Sequence, residues 1–99
     1  MVFNLKIRTN EDLDLLDDFE RAEIHCNYLS DVSDVYYYLI QMESTYPTSI
    51  SFDRYEFDSF SITVDDENFM ETIINRIDDI LLLNDDCYCS TSVMEYFFN

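Results

Sequence analysis

Any chemistry in this chain must come from carboxylates, three thiols and one imidazole. Twenty-two Asp and Glu stand against five Lys and Arg and a single His, giving a formal charge of −17 on 99 residues. Spacing sorts what these groups could do. His25, Cys26, Cys87 and Cys89 are zinc-ligand types, but Cys87 and Cys89 are closer than the two-to-four-residue gap of a zinc knuckle. His25 and Cys26 are adjacent, and adjacent side chains on a strand leave opposite faces. The three cysteines therefore read as reduced, buried thiols and His25 as a satisfied core or strand histidine. No metal site is expected. The acidic run 12–18, DLDLLDD, lacks the Gly turn and closing Glu of a calcium loop. Carboxylate pairs at hydrolase distance arise by chance among so many acids, and no motif marks one. A metal-dependent nuclease would have to hold a polyanion that this chain repels. No catalytic residue and no cofactor is expected, and the chain reads as non-catalytic.

Glycine is absent. Phosphate-cradling loops, dinucleotide fingerprints, nucleophile elbows and EF loops all need Gly where backbone turns sharply or meets a ligand, so none of them is present. Tight turns must fall to residues that tolerate left-handed backbone or cap themselves, with Asn10, Asn27, Asp58 and Asn84-Asp85-Asp86 the expected places.

What remains is multivalent charge. Helical spacing puts Glu11, Asp14 and Asp18 on one stripe with Asp17 beside them, and Glu67, Glu71 and Asp78 near another with Asp79 adjacent. Residues four apart on a helix rise about 6 Å, similar to the phosphate spacing of a nucleic-acid strand. Like charges so placed destabilise a helix by a few tenths of a kcal/mol per pair, roughly 0.2–0.5. A merely solvated face would intersperse Lys, and the chain has one. Size gives the charge its meaning. A compact chain of this length has a radius of gyration of about 13 Å and is roughly 33 Å across. Duplex DNA carries about 19 charges over that length. Tyr36, Tyr37 and Tyr38 are consecutive, 100° apart on a helix, so they cannot all face a core. Tyr37 joins the expected contact residues, since exposed Tyr offers rigid area and a hydroxyl.

These residues need elements to hold them. Hydrophobic residues are 47% and aromatics 16%, too apolar for a disordered acidic tail. Residues 2–8 alternate Phe3, Leu5, Ile7 against polar neighbours, predicting a half-buried strand. A helix from Thr9 or Asn10 to about residue 20 follows, with Leu13, Leu16 and Phe19 or Leu15 inward. A strand at 22–28 is expected from Ala22, Ile24, Cys26 and Tyr28. Ser30 then caps a helix of about 31–43 carrying Val32, Val35, Tyr36, Leu39, Ile40 and Met42. Pro47 ends it. Strands 49–57 and 59–64 form a hairpin around Asp58-Ser59. Asp65 or Asp66 caps a helix of about 66–83, with Phe69, Met70, Ile73, Ile74, Ile77, Ile80 and Leu81 at helical spacing. Residues 87–98 form a last strand against the first, with Tyr96-Phe97-Phe98 in the sheet or in a dimer or partner contact. The expected fold is one α+β domain over 1–99, a mainly antiparallel sheet of four or five strands packed with two to three helices. The longest apolar run, 80–83, is too short to span a membrane, and no signal-peptide pattern opens the chain, so a cytoplasmic protein is expected.

The composition resembles that of phage DNA mimics that block restriction or CRISPR effectors, and of immunity proteins that neutralise nuclease toxins. The likeness is compositional and assigns no residue. It leads to the expectation of a small acidic inhibitor that fills the basic groove of a nucleic-acid-binding protein or nuclease complex, with no direct contact to nucleic acid or membrane. The residues expected to carry this are Glu11, Asp14, Asp17, Asp18, Glu67, Glu71, Asp78, Asp79, Asp85, Asp86 and Tyr37. An assembly module that dimerises through its last strand or Tyr-rich helix, its charge serving solubility, is the alternative of another class.

Overall fold

The computed structural model describes residues 1–9, 17–83 and 92–98. The order of elements is β1 (Val2–Thr9), α1 (Asp18–Thr45), β2 (Ile50–Glu56), β3 (Ser59–Val64), α2 (Glu67–Leu83) and β4 (Ser92–Phe98). One four-stranded sheet runs in the order β2-β3-β1-β4, and every neighbouring pair is antiparallel. This is the split β-α-β-β-α-β connectivity of ferredoxin-like sandwiches.

Strand period places the core. Phe3, Leu5 and Ile7 of β1, Phe60, Ile62 and Val64 of β3, and Ile50 of β2 are buried together with Val32, Val35 and Leu39 of α1. Met70, Ile73, Ile74, Ile77 and Leu81 of α2 complete the cluster. Both helices therefore lie on one side of the sheet. Each such side chain contributes about 1.5–3 kcal/mol relative to exposure. The other face carries Asn4, Lys6 and Arg8 of β1, Ser51 and Asp53 of β2, Ser61 and Thr63 of β3, and Val93, Glu95 and Phe97 of β4, as the strand registers require.

The expected strand at 22–28 is instead helix, and Asn27 lies inside that helix rather than in a turn. The physical reason is a single apolar stripe, Ile24, Tyr28, Val32, Val35, Leu39 and Met42, whose gaps of three and four continue through the segment. Nothing between 28 and 31 breaks it. Helix α1 begins at Asp18 because Asp17 has extended backbone and its Oδ1 accepts a 2.8 Å bond from the Glu20 amide, and residues 10–16 of the first expected helix lie outside the described residues. Asp17 and Glu20 stand at the N-cap and N3 positions of a capping box. At the far end the Tyr46 amide bonds the Met42 carbonyl (2.8 Å), and Pro47 cannot continue the helix. There are thus two helices among the described residues, within the two to three expected.

Other expectations are also corrected. Of the alternatives Phe19 or Leu15, Phe19 is 77% exposed and Leu15 lies outside the described residues, and Ile40 of α1 is exposed too. Cys26 and His25 are exposed on the helix, not buried in a core or strand. Ahead of Asp31 no residue of α1 is buried, and only Ile24 and Tyr28 are half-buried. The 28-residue helix is about 42 Å long, which accounts for the 46 Å long axis of the molecule. Leu13, Leu15, Leu16, Cys87, Cys89, Asn10 and Asn84 fall outside the described residues.

The hairpin and α2 follow the expected pattern. Asp58 sits in the β2–β3 turn, and Asp66 caps α2, its Oδ1 accepting from the Phe69 amide at 2.8 Å. A bulge between Arg54 and Glu56 re-aims β2. Arg54 then lies 4.6 Å from the Tyr36 ring centre and 4.7 Å from that of Phe57, and donates through Nε and Nη2 to the Phe57 carbonyl at 2.9 and 2.6 Å. No described helix is long and apolar enough to cross a membrane.

Candidate functional site

The fold sorts charge by layer. Helix α1 carries six carboxylates (Asp18, Glu20, Glu23, Asp31, Asp34 and Glu43) and one cation, Arg21. Helix α2 carries four (Glu67, Glu71, Asp78 and Asp79) and Arg76. Asp17, Asp65 and Asp66 add three at the helix starts. The helical layer therefore has a net formal charge of −11. The four strands hold Asp53, Glu56 and Glu95 against Lys6, Arg8 and Arg54, and are neutral. Asp58 in the hairpin turn completes the −12 of the described residues.

Burial removes one carboxylate from the surface. Asp31 is 2% exposed on the inner side of α1 and half-buried Glu43 turns to β2, which leaves nine excess negative charges for the outward surface of the two helices. Four of these belong to α1 and its cap, one per about 10 Å of its roughly 42 Å length, about a third of the density of a single DNA strand at one per ~3.4 Å, and α2 with its start supplies the rest.

Individual positions follow from helix geometry at 100° per residue. Glu23, Asp34 and Tyr37 fall within about 60° of one another on the outward side of α1. Tyr37 is 68% exposed, while Tyr36 and Tyr38 are half-buried against the core, as three consecutive helical tyrosines require. Burial pushes the Tyr38 hydroxyl pKa up, opposed by the Arg76 charge. On α2 Glu67, Glu71 and Asp78 fall within about 40°, all exposed. That flank looks away from α1, because Arg76 on the opposite flank is the residue near Tyr38, while Asp78 borders a hollow with Ser92, Val93 and Met94 of β4. Asp79 is exposed and turned further outward.

Of the acids expected at the first stripe, Asp17 is the N-cap and Asp18 the first residue of α1, 3.7 Å from Arg21. Glu11, Asp14, Asp85 and Asp86 lie outside the described residues. Glu20, Glu23, Asp34, Asp65 and Asp66 belong to the same layer and were missed. The uninterrupted stripe from Ile24 to Met42 is the signal that would have found those on α1. Glu43 acts within the fold instead, where its Oε2 accepts the Phe52 amide at 3.0 Å, on the edge strand β2.

A polar clasp holds the layer to the sheet. The Tyr28 hydroxyl donates to Asp58 Oδ2 at 2.6 Å, and the Ser59 hydroxyl donates to Asp58 Oδ1 at 3.1 Å. Partial burial pushes the Asp58 carboxyl up. The bonds from Tyr28 and Ser59 and the Lys6 charge outweigh it and hold the pKa below the usual carboxylate value. Burial, then the bond and charge of Asp58, hold the Tyr28 hydroxyl protonated well above the usual tyrosine range. Tyr28 thereby fixes α1 at the end of its exposed, acidic first turns.

Among the described residues no group of three or more His, Cys, Asp and Glu converges as metal ligands would. No protein-family model, no curated protein and no solved structure matches the chain.

Proposed function

We propose that this protein is a non-catalytic acidic inhibitor whose helical layer occupies the Lys/Arg-rich groove of a nucleic-acid-binding effector in place of nucleic acid. The observation that carries this reading is the segregation of charge, −11 in the helical layer against neutral strands. Charge serving solubility alone has no reason to favour one layer. Exposed carboxylates on α1 and α2 would accept the charge-assisted hydrogen bonds that Arg and Lys otherwise give to phosphates, with Arg pairing bidentately. Long-range attraction would speed encounter and make affinity fall with salt. Tyr37, one turn from Asp34 and on the same side of α1 as Glu23, would add non-ionic contact area at low entropic cost. The target class we place first is a host-defence nuclease, restriction or CRISPR effector, with a nuclease toxin second.

The test is capture from host-cell lysate at low salt, with an equally acidic unrelated protein as control and competitor DNA as displacer. Two double variants then separate local from total charge. Glu71→Lys/Asp78→Lys and Asp53→Lys/Glu56→Lys each change the net charge by the same amount, the first in the helical layer and the second on the sheet. The expected result is recovery of a nucleic-acid-binding protein that competitor DNA displaces, with the helical variant weakened far more than the sheet variant. Equal weakening of the two, or recovery no different from the control, would refute the reading.

A further inference from the structure

The two edges of the sheet are not alike. At the β2 edge Glu43 bonds the Phe52 amide, a bulge interrupts the strand, and Asp53, Arg54 and Glu56 charge it. These are the devices by which edge strands avoid pairing with another chain. The β4 edge has no Pro, Lys or bulge, and no described strand pairs with its outer side. Its one charge, Glu95, is ion-paired with Arg8 of the neighbouring strand. Tyr96, Phe97 and Phe98 are 46%, 50% and 59% exposed.

Hydrogen bonding fixes which groups point outward. Met1 and Val64 exchange bonds of 3.1 and 2.9 Å, and the Ile7 amide donates to the Asp58 carbonyl at 3.0 Å. Odd residues of β1 thus aim their main-chain groups at β3, and even residues aim theirs at β4. Val93, Glu95 and Phe97 oppose the even residues Arg8, Lys6 and Asn4. Met94, Tyr96 and Phe98 therefore direct their amides and carbonyls to the free edge.

We propose that β4 pairs antiparallel with β4 of a second copy about a twofold axis through Tyr96. That register joins all three outward residues, Met94 with Phe98 of the copy, Tyr96 with its own counterpart, and Phe98 with Met94. It also sets Glu95 opposite Phe97, so no like charges stand directly opposite one another, and the two Glu95 side chains, diagonal across the axis, are each ion-paired with Arg8. Charge selects a copy at this edge rather than a basic strand, because the strands are the neutral layer and the single carboxylate of β4 is already neutralised by Arg8. The product is an eight-stranded sheet with all four helices on one side, which joins two acidic layers into one surface. The Glu67, Glu71 and Asp78 flanks of the two α2 helices then face one another across the axis. Their repulsion is screened beyond a Debye length of about 8 Å at physiological salt. Dimerisation therefore strengthens with salt, the opposite of binding to a basic target, and it holds whatever the target is.

Sedimentation equilibrium over a dilution and salt series tests this. The expected result is a mass approaching twice the 11.9 kDa chain, favoured by added salt, with the dimer of Tyr96→Lys weakened about tenfold or more. Circular dichroism establishes that the variant is folded. Register is tested by oxidation in a background of Cys26→Ser, Cys87→Ser and Cys89→Ser. Tyr96→Cys brings two thiols onto Cα atoms about 5.5 Å apart, within disulfide reach. Met94→Cys leaves its two copies about 14 Å apart along the strands and serves as the control. A mass of one chain at every salt concentration, a Tyr96→Lys variant that dimerises as before, or cross-linking of Met94→Cys as fast as Tyr96→Cys would overturn the proposal.

Discussion

Replacing Tyr28 with Phe removes one hydroxyl and tests how the acidic helix is held. The hydroxyl donates to a carboxylate at 2.6 Å at the junction of α1 and the β2–β3 turn. A hydrogen bond to a charged group contributes about 1.5–3 kcal/mol. Tyr28 is half-buried and Asp58 keeps its bond from Ser59, so the lower end, about 1.5 kcal/mol, is expected. For a domain of this size that lowers the melting temperature by about 6–12 °C. The pH dependence carries the sharper signature. Asp58 has a lowered pKa in the folded state, so its contribution is present above the unfolded carboxyl value near 3.9 and is lost as pH falls through the folded value. Tyr28 has a raised pKa, so its contribution is complete below the unfolded tyrosine value near 10 and fades only as pH rises through the folded one. The difference between wild type and Tyr28→Phe should be constant from about pH 5 to 9 and shrink to about 0.5 kcal/mol once pH has fallen through the folded Asp58 value. Thermal melts followed by far-UV circular dichroism at neutral and acid pH measure it. A difference that persists unchanged at acid pH, or none at neutral pH, refutes the clasp.

Two further outcomes follow from the same geometry. Arg54→Ala loses two close ring contacts and its bonds to the Phe57 carbonyl, and should lower stability by about 1–2 kcal/mol. In urea this appears as a lower midpoint with an unchanged slope. Tyr37→Ala should leave stability within about 0.5 kcal/mol. It should weaken binding to a captured target by more than about 1 kcal/mol. Titration calorimetry with that target checks the second half, and unchanged affinity removes Tyr37 from the contact set.

Where the sequence was legible, one period dominated. Phe3, Leu5 and Ile7 alternate cleanly, and Phe60, Ile62 and Val64 do the same. Both strands are found with those side chains buried. The spacing from Phe69 to Leu81 fits only a helix, and Asp66 caps it. The failure at 22–28 came from a segment that satisfies two periods at once. Ala22, Ile24, Cys26 and Tyr28 alternate, yet Ile24 and Tyr28 are also four apart and in phase with Val32 and Val35. Local pattern cannot choose there. The buried half of α1 chooses, because extending a helix already nucleated on the sheet adds one hydrogen bond per residue, whereas a new strand would need a partner.

The sequence by itself determined the magnitude of the charge, the absence of glycine-dependent sites, the positions of most core residues and the exposure of one tyrosine in three. These depend on composition and local period, which any compact fold must respect. Only the tertiary structure decided that the carboxylates lie mainly in one layer and the cations Lys6 and Arg8 in the other. It also decided that Asp31 is buried while Phe19 is exposed, that Glu43 guards one sheet edge, and that no described strand pairs with the outer side of β4 at the other. Those facts depend on which face of each element meets the sheet and on strand order. Strand order is a choice among long-range pairings, and no run of neighbouring residues encodes it.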